Sequence, residues 1–324
     1  MHDKIALEEH FATDETVRES PEFGHAGEWS ALERRLLDLG DERLREMDAT
    51  GIAFAILSLN APGVQSVFDA KKSVAVARRA NDALAAGIAK HPDRFGGFAA
   101  LPMQDPEAAC VELRRAVTHL GFKGAMANGF SQVGDASRII YYDDPIYAPF
   151  WSTVAALDVP FYLHPRDPLP ERTTFYDGHP WLRGAAWAFG VETATHALRL
   201  MASGIFDAHP RLTVILGHLG EGLPYNIWRV DHRFGKRPRV MPPVKRKFSE
   251  YLRDNFYVTT SGSFHTQTLH SAIAEMGVDR VLFSVDYPFE DCGQAAAWFD
   301  GCDLSREALE KIGSGNAAQL FGLK

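Results

Sequence analysis

Eight short apolar runs punctuate the chain, at residues 5–10, 54–59, 95–101, 122–128, 159–164, 212–218, 256–262 and 281–286, each rich in β-branched or aromatic residues and each closing on polar ones. Uninterrupted apolar runs of this length mark strands buried on both faces, the condition of strands in parallel sheets. Helical periodicity fills the gaps between them. Over 74–91, Val74, Ala77, Ala80, Leu84 and Ile88 fall on one face. Asp105-Pro106 opens another helix, with Asp as its cap and Pro in its first turn, and that helix continues through Leu113 and Val117. Strand–helix alternation repeated about eight times predicts an α/β fold, a (β/α)8 TIM barrel. A doubly wound parallel sheet is the other architecture open to such a pattern.

A length of 324 residues admits two domains, yet no Pro/Ser-rich linker, low-complexity tract or sequence repeat divides the chain. The expectation is one barrel domain over 1–324. With 46% apolar and 23% charged residues the composition is that of a folded protein. A formal net charge of −8 disfavours nucleic-acid and anionic-membrane partners, because both need a basic face. Cys110, Cys292 and Cys302 are too few and too scattered for a disulfide framework or a Cys-rich metal site, which suits a reducing cytoplasm. The first apolar run, Ile5-Ala6-Leu7, is broken at once by Glu8-Glu9-His10, so neither a signal peptide nor a membrane span is expected there or elsewhere.

Two segments break the alternation. Residues 11–37 follow the first strand and 166–188 follow the fifth, and both read as long loops at the C-terminal ends of strands, where barrels place their active sites. The second carries Pro165, Pro168, Pro170, Pro180, Trp181 and Trp187 on or beside it, enough rigid apolar surface to wall a pocket for a flat ligand. Packing on the barrel is an equally good use for any one of them.

The strand ends hold the chemistry. Glu8 and His10 are two apart, so on an extended strand they share one side while Glu9 points away. The fifth strand ends in His164, the sixth in His218 and the eighth in Asp286. A barrel gathers these around one mouth, where Glu8, Asp286, His10 and His164 could form a divalent metal site with open positions. Any one of these histidines alone would read as a hydrogen-bonded structural residue. Four such groups at three strand ends would be costly to bury unpaired. His218 and Glu221 lie three apart over a strand-to-helix turn, close enough for the carboxylate to orient the imidazole. Phosphate-binding glycine motifs and a Gly-x-Ser-x-Gly nucleophile elbow are absent, and no cysteine ends a strand.

The segments Ala6-Leu7-Glu8-Glu9-His10, Leu57-Ser58-Leu59-Asn60-Ala61-Pro62, Phe161-Tyr162-Leu163-His164-Pro165-Arg166, Ile215-Leu216-Gly217-His218-Leu219-Gly220-Glu221, Thr259-Thr260-Ser261-Gly262 and Leu282-Phe283-Ser284-Val285-Asp286-Tyr287-Pro288-Phe289-Glu290 resemble one group of the amidohydrolase superfamily. That group is the non-oxidative aromatic acid decarboxylases, and the γ-resorcylate (2,6-dihydroxybenzoate) type is the nearest. Phe234 after Asp231-His232-Arg233, and Val285 and Tyr287 around Asp286, are features shared with the 2,3-dihydroxybenzoate and salicylate type, whereas His10 is not. The resemblance implies a metal-dependent barrel enzyme that releases CO2 from an ortho-hydroxylated benzoate with no organic cofactor, and a homotetramer built as a dimer of dimers. It also implies Glu8, His10, His164 and Asp286 as metal ligands, His218 and Glu221 as a catalytic pair with Arg229 as a supporting charge, and Phe23 and Asn128 against the substrate.

In that chemistry a ring carbon must be protonated before CO2 leaves, because direct loss would strand a high-energy aryl carbanion. Asp286 is the expected proton donor, assisted by His218 and Glu221. Oxygen-rich ligation with two imidazoles favours Mn2+ at one ion per chain, with Zn2+ or Mg2+ also compatible. The rival expectation is a metal-dependent hydrolase on the same barrel, such as a lactonase. Many hydrolases of this superfamily carry His-x-His on the first strand and often a carbamylated lysine. Glu8 stands at the first ligand position here, and no strand clearly ends in Lys.

Overall fold

The computed structural model describes residues 3–18, 26–236 and 242–323. Ten strands occur among them: β1 (Lys4–Phe11), β2 (Ile52–Leu59), β3 (Phe95–Ala100), β4 (Gly124–Asn128), β5 (Ser131–Gln132), β6 (Ile139–Ile140), β7 (Phe161–His164), β8 (Val214–Leu216), β9 (Phe256–Thr259) and β10 (Val281–Leu282). Eight of them form one parallel sheet in the order β1-β2-β3-β4-β7-β8-β9-β10, while β5 and β6 make a small antiparallel hairpin. A parallel bridge between Glu9 and Tyr287 joins the last strand segment back to the first. His10 N–H donates to the Tyr287 carbonyl at 2.6 Å and Asp286 N–H to the Glu8 carbonyl at 3.0 Å, so the sheet closes into the expected (β/α)8 barrel.

Alternation along the strands sorts side chains into two cores, with β1 irregular in register between Lys4 and Ile5 and between Ala6 and Glu9. Leu7, Ile56, Phe98, Met126, Tyr162, Ile215 and Leu282 pack together with Ala317 and Phe321 of the C-terminal helix Asn316–Phe321. Ala6, Leu57, Ala125, Leu163, Leu216 and Val281 point the other way and pack beneath the surrounding helices. Filling both sides is what makes the strand segments read as continuous apolar runs.

Helices match the capping signals. Asp105 accepts hydrogen bonds from Glu107 N–H at 3.1 Å and Ala108 N–H at 3.0 Å and starts the helix Pro106–His119. The helix expected over 74–91 spans Ala70–Ile88 instead, capped by Asp69 through Lys72 N–H at 2.9 Å. Its fully buried face runs through Ser73, Ala77, Ala80, Asn81 and Leu84, with Val74 and Ile88 only partly covered. Asn81 explains the rotation: its side chain both donates to the Ala100 carbonyl (2.9 Å) and accepts from Ala100 N–H (2.8 Å), turning the polar edge of the helix towards β3.

Several strands are shorter than their apolar runs, two of them by four residues. The 212–218 run yields only Val214–Leu216, because residues 218–222 turn sharply through left-handed conformations, with φ of 51° at His218, 54° at Leu219 and 55° at Glu221. His218 therefore opens a turn and does not end a strand. The 281–286 run pairs regularly only over Val281–Leu282. Beyond it, side chains take over from the ladder: Ser284 N–H donates to Thr260 Oγ1 at 2.9 Å and Val285 N–H to Glu9 Oε1 at 2.9 Å.

The described parts of the two irregular segments are more ordered than loops. Residues 11–37 include the helices Asp14–Val17 and Ala26–Leu37, and 166–188 is a chain of four 3-10 turns. Phe175, Trp181 and Trp187 on the latter are exposed. Cys110, Cys292 and Cys302 are all free thiols. No helix among the described residues is long and apolar enough to cross a membrane.

Candidate metal centre and active site

Glu8 and His10 reach the barrel mouth from β1, His164 from the last residue of β7, and Asp286 from the segment after β10. Each offers one ligand atom, and these atoms lie within 4.8 Å of one another. Glu8, His10 and His164 are buried. His10 Nε2 is 3.1 Å from Asp286 Oδ1, and His164 Nε2 is 3.2 Å from Glu8 Oε1. The two imidazoles meet edge to face at 4.7 Å between centroids.

The donor set fits a divalent cation on two counts. Glu8 Oε1, His10 Nε2 and Asp286 Oδ1 are buried without any hydrogen-bond partner, an arrangement that is costly unless a positive charge sits between them. Two carboxylates with two imidazoles also form a mixed O/N set that suits Mn2+ and tolerates Zn2+.

The supporting shell is equally defined. Glu8 turns its other oxygen, Oε2, to the hydroxyls of Tyr162 and Ser261, which both donate to it, with Thr259 Oγ1 at 3.4 Å. His10 Nδ1 lies 3.3 Å from Ser58 Oγ, and the Phe289 ring stands across the imidazole at 5.8 Å. Gly217 is required beside the carboxylate, because a Cβ there would come within 2.7 Å of Glu8 Oε2. Although burial works against its charged form, the imidazoles of His218, His164 and His10 hold the Glu8 carboxyl well below the usual carboxylate range.

His218 and Glu221 form the expected pair, Nδ1 to Oε1 at 2.7 Å. The left-handed turn folds Glu221 back onto the imidazole, which an ordinary helical start would not do. His218 Nε2 then faces the cluster, 3.7 Å from Asp286 Oδ2 and 3.8 Å from Glu8 Oε1. Burial disfavours its cationic form, yet Glu221, Glu8 and Asp286 raise the imidazole well above its ordinary range. Gly262 (φ 58°) covers the ring so closely that a Cβ would meet His218 Cδ2 at 2.9 Å. From this pair a cavity of about 560 Å3 opens along the helices Ala188–Ala202 and Leu223–Gly235, with Trp187, Phe189, Val191 and Leu198 among its walls.

Asn128 sits in register with His164, its Nδ2 donating to the Leu59 carbonyl at 3.3 Å and its Oδ1 buried without a partner. Arg229 departs from expectation. It is exposed on the helix Leu223–Gly235 and does not line the cavity, because Asn226 and Val230 occupy the face turned inward. Phe23 lies outside the described residues.

Several residues of the site went unassigned in the sequence. Tyr162 alternates with His164 on β7 and so shares its face, a signal that was legible. Thr259 and Ser261 belong to a recognised motif whose purpose only their contact with Glu8 reveals. Glu9 was expected to point away from the cluster, and it does: its carboxylate engages Ser284, Val285 and Tyr287. Burial pushes the Glu9 carboxyl up to about 8, against the pull of Val285 N–H, Ser284 and Arg43.

A barrel with this mouth is an amidohydrolase design, and the chain belongs to the amidohydrolase family, whose model (Amidohydro_2) matches residues 25–323. Within that family it is 58% identical to a γ-resorcylate decarboxylase of Rhizobium radiobacter over 325 aligned positions, covering 100% of this chain and 99% of the relative. Its structure resembles that of a 2,6-dihydroxybenzoate decarboxylase complexed with 2,6-dihydroxybenzoate, at a TM-score of 0.97 and 57% identity over the whole of both chains. The dihydroxybenzoic acid decarboxylase of Polaromonas sp. JS666, with bound manganese and the inhibitor 2-nitroresorcinol, matches at a TM-score of 0.97 and 57% identity, covering 100% of this chain and 98% of that one.

Proposed function

We propose that this protein is a metal-dependent carbon–carbon lyase that removes CO2, without oxidation, from a benzoate carrying an ortho hydroxyl. 2,6-Dihydroxybenzoate is the first substrate by this reading and 2,3-dihydroxybenzoate the second, with salicylate also in the class. The observation that carries it is the Asp286 carboxylate, with Oδ1 in the cluster beside His10 and Oδ2 beside His218. Full-length likeness to γ-resorcylate decarboxylases supports the substrate class.

Glu8, His10, His164 and Asp286 would hold one divalent ion per chain, Mn2+ in preference to Zn2+ or Mg2+, with no organic cofactor. When bound, that ion supplies Lewis-acid polarisation of the substrate oxygens and a fixed point of attachment. The chain's own groups handle the proton. Asp286 Oδ2 takes the proton of the ortho hydroxyl and delivers it to ring carbon C1. The phenolate electron pair, pushed through the ring, forms the new C1–H bond. The bond from C1 to the carboxylate then breaks, its electrons restore aromaticity and return the oxygen to phenolate, and CO2 departs. The phenolate takes one proton from solution, so that one carboxylate and one proton become one phenol and one CO2. The same steps run backwards give carboxylation. Glu221 fixes the direction of His218 and favours its cationic form, whose Nε2 holds a proton beside the reacting oxygens. Asn128, with its unpartnered Oδ1 next to His164, borders the substrate. By resemblance, Phe23 is a further substrate-facing residue.

The assembly we propose is a homotetramer, a dimer of dimers, acting in the cytoplasm. Tyr225 and Trp228 support it, being 82% and 66% exposed on the helix that also borders the cavity. Assay of CO2 release and of ester or lactone hydrolysis on a single metal-loaded preparation tests the function. CO2 release without hydrolysis is the expected result, and hydrolysis without CO2 release would replace the reading with a hydrolase.

A further inference from the structure

We propose that Glu9 is the positioning residue that holds Asp286 in the cluster, an inference that rests on reading the four-residue cluster as the metal centre. Asp286 has φ of 83°, a left-handed backbone uncommon for residues other than Gly, though Asp tolerates it better than most, and its neighbours hold it there. The groups that hold it are visible. Val285 N–H donates to Glu9 Oε1 at 2.9 Å and Tyr287 N–H to Glu9 Oε2 at 3.3 Å, so one carboxylate grips the peptide on either side of Asp286. Ser284 Oγ donates to Glu9 Oε1 at 3.0 Å and also accepts Leu7 N–H at 3.1 Å and Glu8 N–H at 2.6 Å. The same hydroxyl thus ties Glu9 to the backbone of the ligand Glu8.

The other backbone polar groups of residues 285–287 are occupied. Asp286 N–H donates to the Glu8 carbonyl, His10 N–H to the Tyr287 carbonyl and Gly262 N–H to the Val285 carbonyl, while the Asp286 carbonyl accepts Phe289 N–H and Glu290 N–H. Among the described residues, Glu9 alone supplies acceptors to the N–H groups of residues 285 and 287. Without it those two buried donors are left unsatisfied, and the simplest relief is rotation about Asp286. Arg43, buried behind Glu9, donates to the His10 carbonyl at 2.6 Å and lies 4.4 Å over the Tyr287 ring, which keeps the clamp from shifting as a unit. The alternation along β1 thereby divides the labour: Glu8 and His10 face the ligand site, and Glu9 builds the backbone on which the fourth ligand stands.

The test is Mn2+ affinity, measured by chelator competition on the full chain, in Glu9→Ala and Glu9→Gln, with melting recorded with and without Mn2+. Loss of about tenfold or more in affinity is expected for Glu9→Ala, the range for groups that orient metal ligands. Glu9→Gln should fall between it and wild type, because the amide keeps one acceptor but sets an N–H against Tyr287 N–H. The rise in Tm on adding Mn2+ should shrink in parallel. Affinity within about twofold of wild type in Glu9→Ala overturns the proposal, even if the metal-free protein melts lower, because Glu9 would then serve the barrel and not the ligand. Should Glu9→Ala fail to fold, Glu9→Gln is read by the same criterion, and failure of both to fold also overturns it. Wild-type protein and Asp286→Ala are measured alongside. A wild type that binds no Mn2+, or an Asp286→Ala that binds as tightly as wild type, brings down the cluster reading itself, an outcome distinct from a Glu9 variant that binds normally.

Discussion

Asp286 and His218 face each other across the mouth of the barrel, with Oδ2 of the carboxylate 3.7 Å from Nε2 of the imidazole. The separation is longer than a hydrogen bond, and a substrate oxygen lying off the line between the two groups can reach both. One carboxylate therefore meets the metal cluster through Oδ1 and the proton-handling pair through Oδ2.

Asp286→Asn keeps the shape and one oxygen for the metal but cannot relay a proton. Turnover should fall at least about a hundredfold, the low end for general acid catalysis, while substrate binding persists. The measurement is rate in ordinary and deuterated water on variant protein whose metal content matches wild type. Near-normal turnover there would move the proton donor to His218 or to a water.

Purified protein should carry about one divalent ion per chain, and exhaustive chelation should abolish activity. Glu8→Gln should weaken binding, because the amide puts a donor where either Tyr162 and Ser261 donate or the ion sits. Elemental analysis and calorimetric titration check both statements. Full activity after chelation would count against the centre.

A hydroxyl ortho to the carboxylate should be essential, since only that isomer presents two neighbouring oxygens to the cluster and a phenol proton to Asp286. Turnover across a panel of hydroxybenzoates decides the point. Equal rates for 4-hydroxybenzoate and 2,6-dihydroxybenzoate would reject it.

His196 should make the protein acid-sensitive away from the active site. It is buried, accepts Tyr142 N–H at Nε2 (3.1 Å), and burial with Arg199 nearby holds its imidazole down to about 3. The unfolded chain protonates His196 near 6.5, so its contribution is complete above that pH and is lost as the pH falls towards 3. By pH 5 the loss should reach about 2 kcal/mol. Urea midpoints at pH 7 and pH 5 should therefore draw closer in His196→Gln than in wild type. An unchanged gap would assign the acid sensitivity to other groups.

Tyr225→Glu together with Trp228→Glu should shift the assembly towards smaller species, because charge on an apolar contact opposes its burial. Sedimentation at assay concentrations is the check. A fully active monomer in the wild type would contradict the proposed tetramer.

Alternation of buried strands with amphipathic helices made the barrel legible in the sequence, because a residue's tendency to be buried is local and repeats with each element. The i, i+2 spacing on β1 likewise separated Glu8 and His10 from Glu9, since strand geometry alone dictates which side chains share a face. The four-residue cluster was legible too, once strand ends were known to meet at one mouth. Tertiary structure alone decided the rest. The early ends of β8 and β10 arise from left-handed turns and from Glu9 and Thr260 replacing ladder partners, and such contacts join residues far apart in sequence. The resemblance implied Arg229 as a supporting charge near the pair, whereas helix phase turns Asn226 and Val230 towards the cavity. Residue identity and spacing specify what each element can offer. Which atoms finally meet depends on closure of the barrel, which brings Glu9 to the N–H groups on either side of Asp286, a contact between residues more than 270 positions apart.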